Sequence, residues 1–181
     1  MNPDNTKKLL RIISEYNKIN NDGDINNNFG VDYWDGDERN KDHWEVTLIP
    51  PVGTLYEGGF YKLEVLFPND YPSSPPKVKF LTKIYHCNIN SSSGYICLNT
   101  LKKEHWKPDY TMEDIFNHII ILLYKPNPED PLIDLIANEY KNKKNDFEQK
   151  AKDWVKKYAN DYTDESKQGI PLGFNDIFFW L

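Results

Sequence analysis

The feature that most constrains the fold is a change in hydrophobic periodicity on either side of an irregular, polar segment at residues 85–99. Before this segment, apolar and polar residues tend to alternate, as they do in half-buried β-strands. After it, apolar residues recur every three or four positions, which is typical of amphipathic helices. Strands followed by helices, with no repeat and no domain linker before Tyr158, predict an α+β domain. A long irregular segment inside such a domain is often functional.

Three segments before the irregular one carry the strand pattern. They cover residues 44–49, residues 60–67 and the residues around 78–80. In the second, alternate positions are apolar and share one face: Tyr61, Leu63, Val65 and Phe67. The proline-dense stretch 68–76 separates the second strand from the third. Within it, Tyr71-Pro72 is a candidate cis bond, because an X–Pro bond is where the cis form costs least.

Helical patterns lie on both sides of the predicted strands. Thr6 to Ile19 forms one amphipathic segment. The asparagine- and glycine-rich residues 20–30 that follow predict a plain surface loop. On the other side, Thr111 and Asp114 form a variant capping box at the start of a broad apolar helix, which is expected to end before Pro126.

The pattern after Pro126 predicts two more helices and a tail. A short helix is expected to begin at Asp130-Pro131, and a final one carries an apolar stripe from Phe147 to Tyr158. After Ala159 the chain becomes polar, and it then ends in an apolar segment at 170–181. We expect this tail to fold back on its own domain, and the alternative is a docking peptide for a partner.

Composition and charge exclude several classes of protein. The chain has 181 residues, of which 39% are hydrophobic, which is enough for one domain with an ordinary core. We find no run of about 18 apolar residues and no signal-peptide pattern, so we expect no membrane span and a cytoplasmic or nuclear location. The net charge of -6 argues against nucleic-acid binding. Two cysteines are too few for a disulfide scaffold, so we expect reduced thiols.

Cys97 ends the irregular segment within an apolar triplet, which places its thiol at the rim of a buried region. Three kinds of chemistry would use such a thiol. A zinc site would draw its ligands from His86, Cys87, Cys97 and His105, but their spacing does not match the paired C-x2-C of structural zinc sites. A cysteine hydrolase would combine Cys97 with His86 or His105 and with Asn88.

The third possibility is an acyl carrier, in which an amine attacks a thioester on Cys97. This chemistry needs an amide donor, which Asn88 would supply, and an acid near the incoming lysine, which Asp130 would supply, but no histidine base. Each residue also has an ordinary structural role open to it. Cys97 would be a small core residue, Asn88 a turn former and Asp130 a helix N-cap.

A series of motifs resembles the ubiquitin-conjugating enzyme family, in the family's order and spacing, from about Thr6 to Ala159. The motifs are Tyr56-Glu57-Gly58-Gly59, Phe67-Pro68-Asn69-Asp70-Tyr71-Pro72, Pro75-Pro76-Lys77-Val78, Tyr85-His86-Cys87-Asn88-Ile89, Gly94-Tyr95-Ile96-Cys97-Leu98, Trp106-Lys107-Pro108 and Pro126-Asn127-Pro128-Glu129-Asp130-Pro131-Leu132. The resemblance implies an N-terminal helix, a four-stranded antiparallel meander, an active-site loop and three C-terminal helices. It also divides the chain into a catalytic domain at 1–159 and a C-terminal extension at 160–181.

The same resemblance implies roles for the site residues. Cys97 would carry ubiquitin as a thioester. Asn88 would support the loop or stabilise the oxyanion, and Asp130 would position and deprotonate the attacking lysine. His86 and Asn127 would support the loop and the gate beside the thiol. No metal or bound cofactor is implied, because ATP is spent upstream.

The implied partners are ubiquitin, a ubiquitin-activating enzyme, a ubiquitin ligase and the lysines of protein substrates. The enzyme is expected to be a monomer without a nucleic-acid or membrane partner. The surface expected to receive the activating enzyme and the ligase contains Lys7, Lys8, Arg11, Ser73, Lys107 and Pro108. Ser73 and Lys107 stand where many members carry phenylalanine and serine, which counts against a standard RING partnership.

Other departures from the family pattern concern the loop and the cargo. Cys87 replaces the proline of the family's His-Pro-Asn motif, the loop that follows looks one residue longer, and Asn117 replaces the usual leucine. The motifs around Cys97 and Lys107 also resemble the enzyme that conjugates the cullin modifier, whereas His86-Cys87-Asn88 and residues 154–159 resemble ubiquitin enzymes. We favour ubiquitin. The alternatives are the cullin modifier and, from another class, a non-catalytic or zinc-stabilised interaction module.

Overall fold

The computed structural model describes residues 3–21 and 28–160. Its helices and strands are α1 (Pro3–Asn21), β1 (Phe29–Tyr33), β2 (His43–Leu48), β3 (Tyr61–Leu66), β4 (Lys77–Phe80), α2 (Met112–Tyr124), α3 (Asp134–Asn142) and α4 (Lys144–Tyr158). Short 3₁₀ turns occur at Trp34–Gly36 and Asn99–Leu101. This order confirms the predicted α+β fold, with three helices after the active-site loop.

The four strands form one antiparallel meander in the order β1-β2-β3-β4. The register aligns Val31 with Val46 and Val46 with Leu63, so apolar side chains face each other on one side of the sheet. That side packs against the helices, and all three residues are at most 2% exposed. Because side chains alternate along a strand, the opposite side of the sheet is left to polar residues.

The prediction of a surface loop at residues 20–30 is wrong at both ends of that range. Residues 20–21 continue α1, and Phe29 begins β1, where it is 5% exposed and packs against Phe116 with ring centroids 5.1 Å apart. Asparagine and glycine lowered the local strand propensity, but pairing with β2 and burial of Phe29 outweigh that preference. Residues 22–27 lie outside the described residues.

A buried carboxylate joins α1 to the rest of the domain. Glu15 is 6% exposed and accepts hydrogen bonds from the Tyr71 hydroxyl at 2.7 Å and from the Met112 amide at 2.5 Å. Arg11 pairs with Glu15 and also donates to the Tyr110 carbonyl at 3.0 Å. A buried charge is tolerated only when it is paired and hydrogen-bonded, so this network holds α1 against the start of α2.

The capping box predicted for α2 is confirmed. Thr111 Oγ1 accepts from the Asp114 amide at 3.2 Å, and the Thr111 amide donates to the Asp114 carboxylate at 2.9 Å. The helix ends at Tyr124, before Pro126 as predicted. The Tyr71-Pro72 bond is cis, which also agrees with the prediction.

The predicted start of α3 at Asp130-Pro131 is wrong, because the helix begins at Asp134. Backbone groups of residues 130–133 are engaged by the active-site loop instead. The amides of Leu132 and Ile133 donate to the Cys87 carbonyl at 2.8 and 3.1 Å. Asp130 is therefore not a helix N-cap.

The last helix, α4, is anchored by Phe147, Ala151 and Val155, which are at most 8% exposed. Just after it, the Ala159 carbonyl accepts a hydrogen bond from the Phe60 amide at 2.8 Å. The extension predicted at 160–181, with its apolar end, lies outside the described residues beyond Asn160. None of the helices in residues 3–21 and 28–160 is both long enough and apolar enough to cross a membrane.

Candidate active site

The loop that carries Cys97 is folded back on itself. Ile89 makes isolated antiparallel bridges with His86 and with Ile96, and the Cys97 amide donates to the Asn88 carbonyl at 2.9 Å. Ile89 and Ile96 are at most 2% exposed, so they anchor both arms of the loop in the core. The segment that looked irregular in sequence therefore presents Cys97 beside Asn88 at a defined position.

A tight turn at residues 90–94 closes this loop. The Asn90 side-chain oxygen accepts from the amides of Ser92 and Ser93 at 2.9 and 3.0 Å. Gly94 has a φ of 75°, and a Cβ at this position would lie 1.9 Å from the Phe80 carbonyl oxygen. Only glycine fits such a close approach with a positive φ. The turn therefore fastens the active-site loop to the end of β4, where the Phe80 amide donates to the Gly94 carbonyl at 2.9 Å.

Asn88 joins the active-site loop to the gate at residues 127–130. Its side-chain NH₂ donates to the carbonyls of Asn127 at 2.8 Å and Asp130 at 3.0 Å. Its side-chain oxygen accepts from the Asn127 amide at 2.8 Å and from the Cys87 thiol at 3.3 Å. A carboxamide has two N–H donors and one oxygen with two lone pairs, so all of its capacity is used. In this arrangement, neither N–H is free to face an oxyanion.

His86 lies in the interior behind Asn88. Its Nε2 donates to the Leu122 carbonyl at 3.1 Å, and its Nδ1 accepts from the Asn88 amide at 3.0 Å. Burial lowers the pKa of His86 to about 4, so the ring is neutral near pH 7. Since both nitrogens are occupied, His86 cannot be the base of a cysteine hydrolase, and its geometry is that of a loop support.

Cys87 also belongs to the interior, where it packs with Ile136, Ala137 and Phe147. Burial raises the pKa of its thiol to about 11, so it is protonated and inert near pH 7. Cys87 and His86 are thus both committed to core hydrogen bonds, which removes two ligands from the zinc alternative. Within residues 3–21 and 28–160, no group of three or more His, Cys, Asp or Glu residues is placed to hold a metal ion.

Cys97 faces two charged side chains at the rim. Its thiol lies 3.7 Å from an Asp130 carboxylate oxygen, and the Lys102 ammonium lies 3.4 Å from the same oxygen. Partial burial raises the pKa of Cys97, and Asp130 raises it further, whereas Lys102 lowers it. The Asp130 side chain is 61% exposed, so its carboxylate can be reached from solvent. His105 is exposed, and among the described residues no hydrogen bond joins its ring to this group.

Sequence reasoning missed Lys102. The 3₁₀ turn Asn99–Leu101 reverses the chain after Cys97 and brings Lys102 back to Asp130. The available signal was a lysine five residues after a candidate nucleophile, but whether the side chain of that lysine returns to Asp130 depends on the turn. Asn127, which was predicted at the gate, acts there through its backbone, because its own side-chain oxygen accepts from the Glu129 amide at 3.2 Å.

The predicted partner surface needs one correction. Lys8 is 2% exposed and forms an ion pair with Asp42 at 2.7 Å, so it is a structural residue inside the domain and not part of an exposed surface. No local pattern in the sequence indicates this ion pair, because Asp42 is 34 residues away. Lys7 is exposed on α1, whereas Arg11 is half-buried in the Glu15 network.

The other predicted contact residues lie on two loops that are bonded to each other and to α1. Ser73, Lys107 and Pro108 are all exposed. The Trp106 indole donates to the Pro72 carbonyl at 2.7 Å, which joins the two loops, and Arg11 joins α1 to the second loop through Tyr110. The structure therefore brings these residues onto connected segments.

An α+β domain with a four-stranded meander, and a loop that presents one half-buried thiol beside a carboxylate, define a ubiquitin-conjugating type of protein. The family model described as "Ubiquitin-conjugating enzyme" matches residues 11–155. A probable ubiquitin-conjugating enzyme E2 of Acanthamoeba polyphaga mimivirus is 41% identical over 160 residues, covering 88% of this chain and 99% of that relative. The chain belongs to the ubiquitin-conjugating enzyme family.

Solved structures agree with this assignment. A ubiquitin conjugating enzyme E2 domain from Toxoplasma gondii is 36% identical, with a TM-score of 0.73, and the match covers 83% of this chain and 97% of that one. A structure from Plasmodium yoelii, whose description also names a ubiquitin conjugating enzyme, is 39% identical, with a TM-score of 0.75 and coverage of 86% and 97%. The protein is thus a transferase of the ubiquitination pathway.

Proposed function

We propose that the protein accepts ubiquitin from an activating enzyme as a thioester on Cys97 and passes it to a substrate lysine or to a ligase cysteine. The observation that carries this proposal is the Cys97 thiol at the rim, 3.7 Å from the solvent-accessible carboxylate of Asp130. Exchange of a thioester between two thiols needs a thiolate but no dedicated histidine base. The buried Cys87 thiol, with its pKa of about 11, is a poor competitor.

Transfer to lysine depends on Asp130 in this proposal. A lysine ammonium must lose a proton before it attacks, and desolvation beside the thioester lowers its pKa. A nearby carboxylate alone would raise the lysine pKa, so Asp130 serves to orient the amine and to accept its proton. The exposure of Asp130 leaves room for an acceptor lysine to approach from solvent.

Asn88 is assigned a positioning role rather than a direct role in stabilising the oxyanion. Both of its N–H groups already donate to gate carbonyls, at 2.8 and 3.0 Å. To stabilise the oxyanion, Asn88 would first have to break one of these bonds. Its effect on transfer therefore comes through the placement of residues 127–130 relative to Cys97.

The partners that this function requires are ubiquitin, an activating enzyme, a ligase and the lysines of substrates. We assign the surface of Lys7, Arg11, Ser73, Lys107 and Pro108 to the activating enzyme and the ligase, since these residues lie on connected segments. A monomer in the cytoplasm or nucleus fits this reaction. The catalytic domain is assigned to residues 1–159, and residues 160–181 form an extension.

Charging tests the proposal. The purified protein is mixed with ATP, ubiquitin and the ubiquitin-activating enzyme, and in parallel with the cullin modifier and its own activating enzyme. We expect an adduct with ubiquitin that thiol reductant removes, that Cys97→Ala abolishes and that the core variant Cys87→Ala retains. An adduct with the cullin modifier alone would keep the mechanism and change the cargo. No adduct with either would favour a non-catalytic interaction module.

A further inference from the structure

A groove beside Cys97 has no part in the reaction proposed above. It has a volume of about 640 Å³ and lies between the side of β3 and β4 that faces away from the helices, the Pro75-Pro76 stretch and the active-site loop. Ile96 and Leu98, the two neighbours of Cys97 in the chain, both line it. Cavities of about 300–1,000 Å³ are of the size that binds ligands. The groove is therefore large enough to receive several side chains of a polypeptide segment.

The groove combines apolar walls with a positively charged rim. Leu66 and Tyr95 expose apolar surface in it and are 38% and 54% exposed. Its charged lining residues are two carboxylates and four lysines: Glu64, Asp70, Lys77, Lys79, Lys102 and Lys103. Four positive charges against two negative ones leave +2, on a chain whose net charge is -6. Lys77 and Lys103 are exposed and form no ion pair within residues 3–21 and 28–160, so the rim is suited to an acidic occupant.

The extension at residues 160–181 has a matching composition. Beyond Asn160 it lies outside the described residues, and its sequence contains four acids and one lysine, which gives a net charge of -3. The acids are Asp161, Asp164, Glu165 and Asp176. Most of residues 170–181 are apolar, and Phe178, Phe179 and Trp180 are consecutive. Acidic charge and large apolar side chains on one segment complement a basic groove with apolar walls.

The described part of the chain ends within reach of the groove. The Ala159 carbonyl accepts from the Phe60 amide at 2.8 Å, so the extension leaves the domain at the start of β3. Glu64, four residues along the chain from Phe60, already lines the groove, which is a distance of about 13 Å at about 3.3 Å per residue. Residues 160–169 can span up to about 33 Å when extended. The apolar segment that follows them can therefore enter the groove of its own chain.

We propose that the apolar segment at residues 170–181 docks in this groove of its own chain and restricts access to Cys97. A segment tethered through about ten residues has an effective concentration of about 1 mM, so a contact with a dissociation constant of about 0.1 mM would fill about nine-tenths of the groove. Because Ile96 and Leu98 line the groove, its occupant narrows the space around the thiol that an acceptor lysine must enter. The docking is independent of the proposed function, whereas its effect on transfer rests on that function.

Zero-length cross-linking of the whole chain tests the docking. A carbodiimide joins a lysine to a carboxylate only where the two groups are in contact, and mass spectrometry identifies the joined pair. The surface ion pair of Lys62 and Glu45, 2.7 Å apart, serves as an internal standard. We expect Lys77 or Lys103 to be joined to an acid of residues 161–181. The tail variant, which combines Phe178→Ser, Phe179→Ser and Trp180→Ser, should lower the yield of that product by about tenfold.

A mixture of isotopically light and heavy protein shows which chain supplies the segment. We expect the cross-links between the groove and the extension to join peptides of the same isotopic form. Cross-links between light and heavy peptides would overturn the proposal, since the occupant would then be a second copy. Detection of the internal standard without any cross-link from the extension to the groove would also overturn it, and would leave the groove to a partner protein.

Single-turnover discharge to free lysine tests the effect on access. The tail variant is compared with a groove variant, Lys77→Glu with Lys103→Glu, and with a control, Lys152→Glu with Lys156→Glu, which makes the same charge change at exposed residues of α4. Rates are expressed per loaded thioester, so differences in charging cancel.

The tail variant and the groove variant should each discharge about threefold faster or more, because each empties the groove. Their combination should add nothing further, since both remove the same contact, and the control should keep the wild-type rate. A tail variant that loses the cross-link but discharges at the wild-type rate would overturn the restriction of access. A protein that forms no thioester would refute the proposed function, while the cross-links would still decide whether the segment docks.

Discussion

Replacement of Asn88 by alanine separates a positioning role from a direct role in catalysis. The substitution removes three hydrogen bonds to the backbone of residues 127 and 130 and one from the Cys87 thiol. Asn88 is 1% exposed, so its former partners would be left without hydrogen bonds in a largely dry region. At about 0.5–1.5 kcal/mol for each bond, and less for the weak thiol donor, the free energy of unfolding should fall by about 2–4 kcal/mol.

Urea unfolding of the wild-type protein and the variant measures this loss directly. The matched control is Asn127→Ala, because the Asn127 side chain makes one exposed bond, to the Glu129 amide, and its removal should cost less than about 0.5 kcal/mol. If Asn88 served only as an oxyanion donor, transfer would slow by about 10²-fold, equivalent to about 3 kcal/mol, with stability unchanged. Asn88→Ala with wild-type stability and that loss of rate would refute the positioning role.

Three other predictions concern the gate, the buried histidine and the closing turn. Asp130→Ala should still be charged with ubiquitin, because removal of a group that raises the Cys97 pKa does not hinder thiolate formation. Single-turnover discharge of the variant to free lysine should slow by about 10²-fold. Equal discharge rates for the variant and the wild type would remove Asp130 from the mechanism. The pKa of His86 is about 4 in the folded protein against 6.5 as its ordinary value, so the unfolded chain binds the extra proton first as pH falls. Stability should therefore drop by about 3 kcal/mol between pH 6.5 and pH 4 from this residue alone, and His86→Gln, compared by urea unfolding at several pH values, should lose that component of the slope. Gly94→Ala should lower the free energy of unfolding by about 2–4 kcal/mol, because the new Cβ would lie 1.9 Å from the Phe80 carbonyl oxygen and the backbone φ is 75°. A variant with the wild-type melting temperature would contradict this prediction.

The regular elements could be predicted because their signals are local. The alternation that placed Tyr61, Leu63, Val65 and Phe67 on one face gave their burial correctly, and the capping box at Thr111 gave the start of α2 to the residue. In both cases the residues that determine the structure lie within a few positions of each other. Periodicity and capping report such short-range constraints well.

The errors share a different physical origin, since each depends on contacts between distant parts of the chain. Phe29 enters a strand because β2 is available to pair with it, although asparagine and glycine around it favour turns. Lys8 is buried because Asp42 neutralises it. The start of α3 is delayed because the Cys87 carbonyl takes the amides of residues 132 and 133. None of these partners can be identified from spacing.

The predictions for the candidate site also divide into those that local motifs could make and those that depend on the folded arrangement. The motif pattern identified Cys97 as the thiol at the rim, but Cys87, ten residues earlier, carries an identical functional group. What distinguishes them is position: Cys87 packs in an apolar cluster and its pKa rises to about 11, whereas Cys97 lies at the rim, where partial burial and Asp130 raise its pKa and Lys102 opposes that rise. Sequence alone could name both thiols, and only the three-dimensional arrangement gives them different electrostatic surroundings.

The arrangement also indicates where the proposed reaction can be controlled. His86, Cys87 and Asn88 form a neutral, fully hydrogen-bonded layer that holds the loop, whereas Cys97, Lys102 and Asp130 form a charged layer at the surface. A thioester exchanges reversibly with other thiols, but its transfer to an amine yields a far more stable amide. Discrimination among acceptors must therefore occur before that step, at the approach of the amine to Asp130. Because Lys102 already pairs with one oxygen of this carboxylate, an external lysine has to share Asp130 with Lys102 or displace it. The rate of transfer should depend on that competition as much as on the reactivity of the thioester itself.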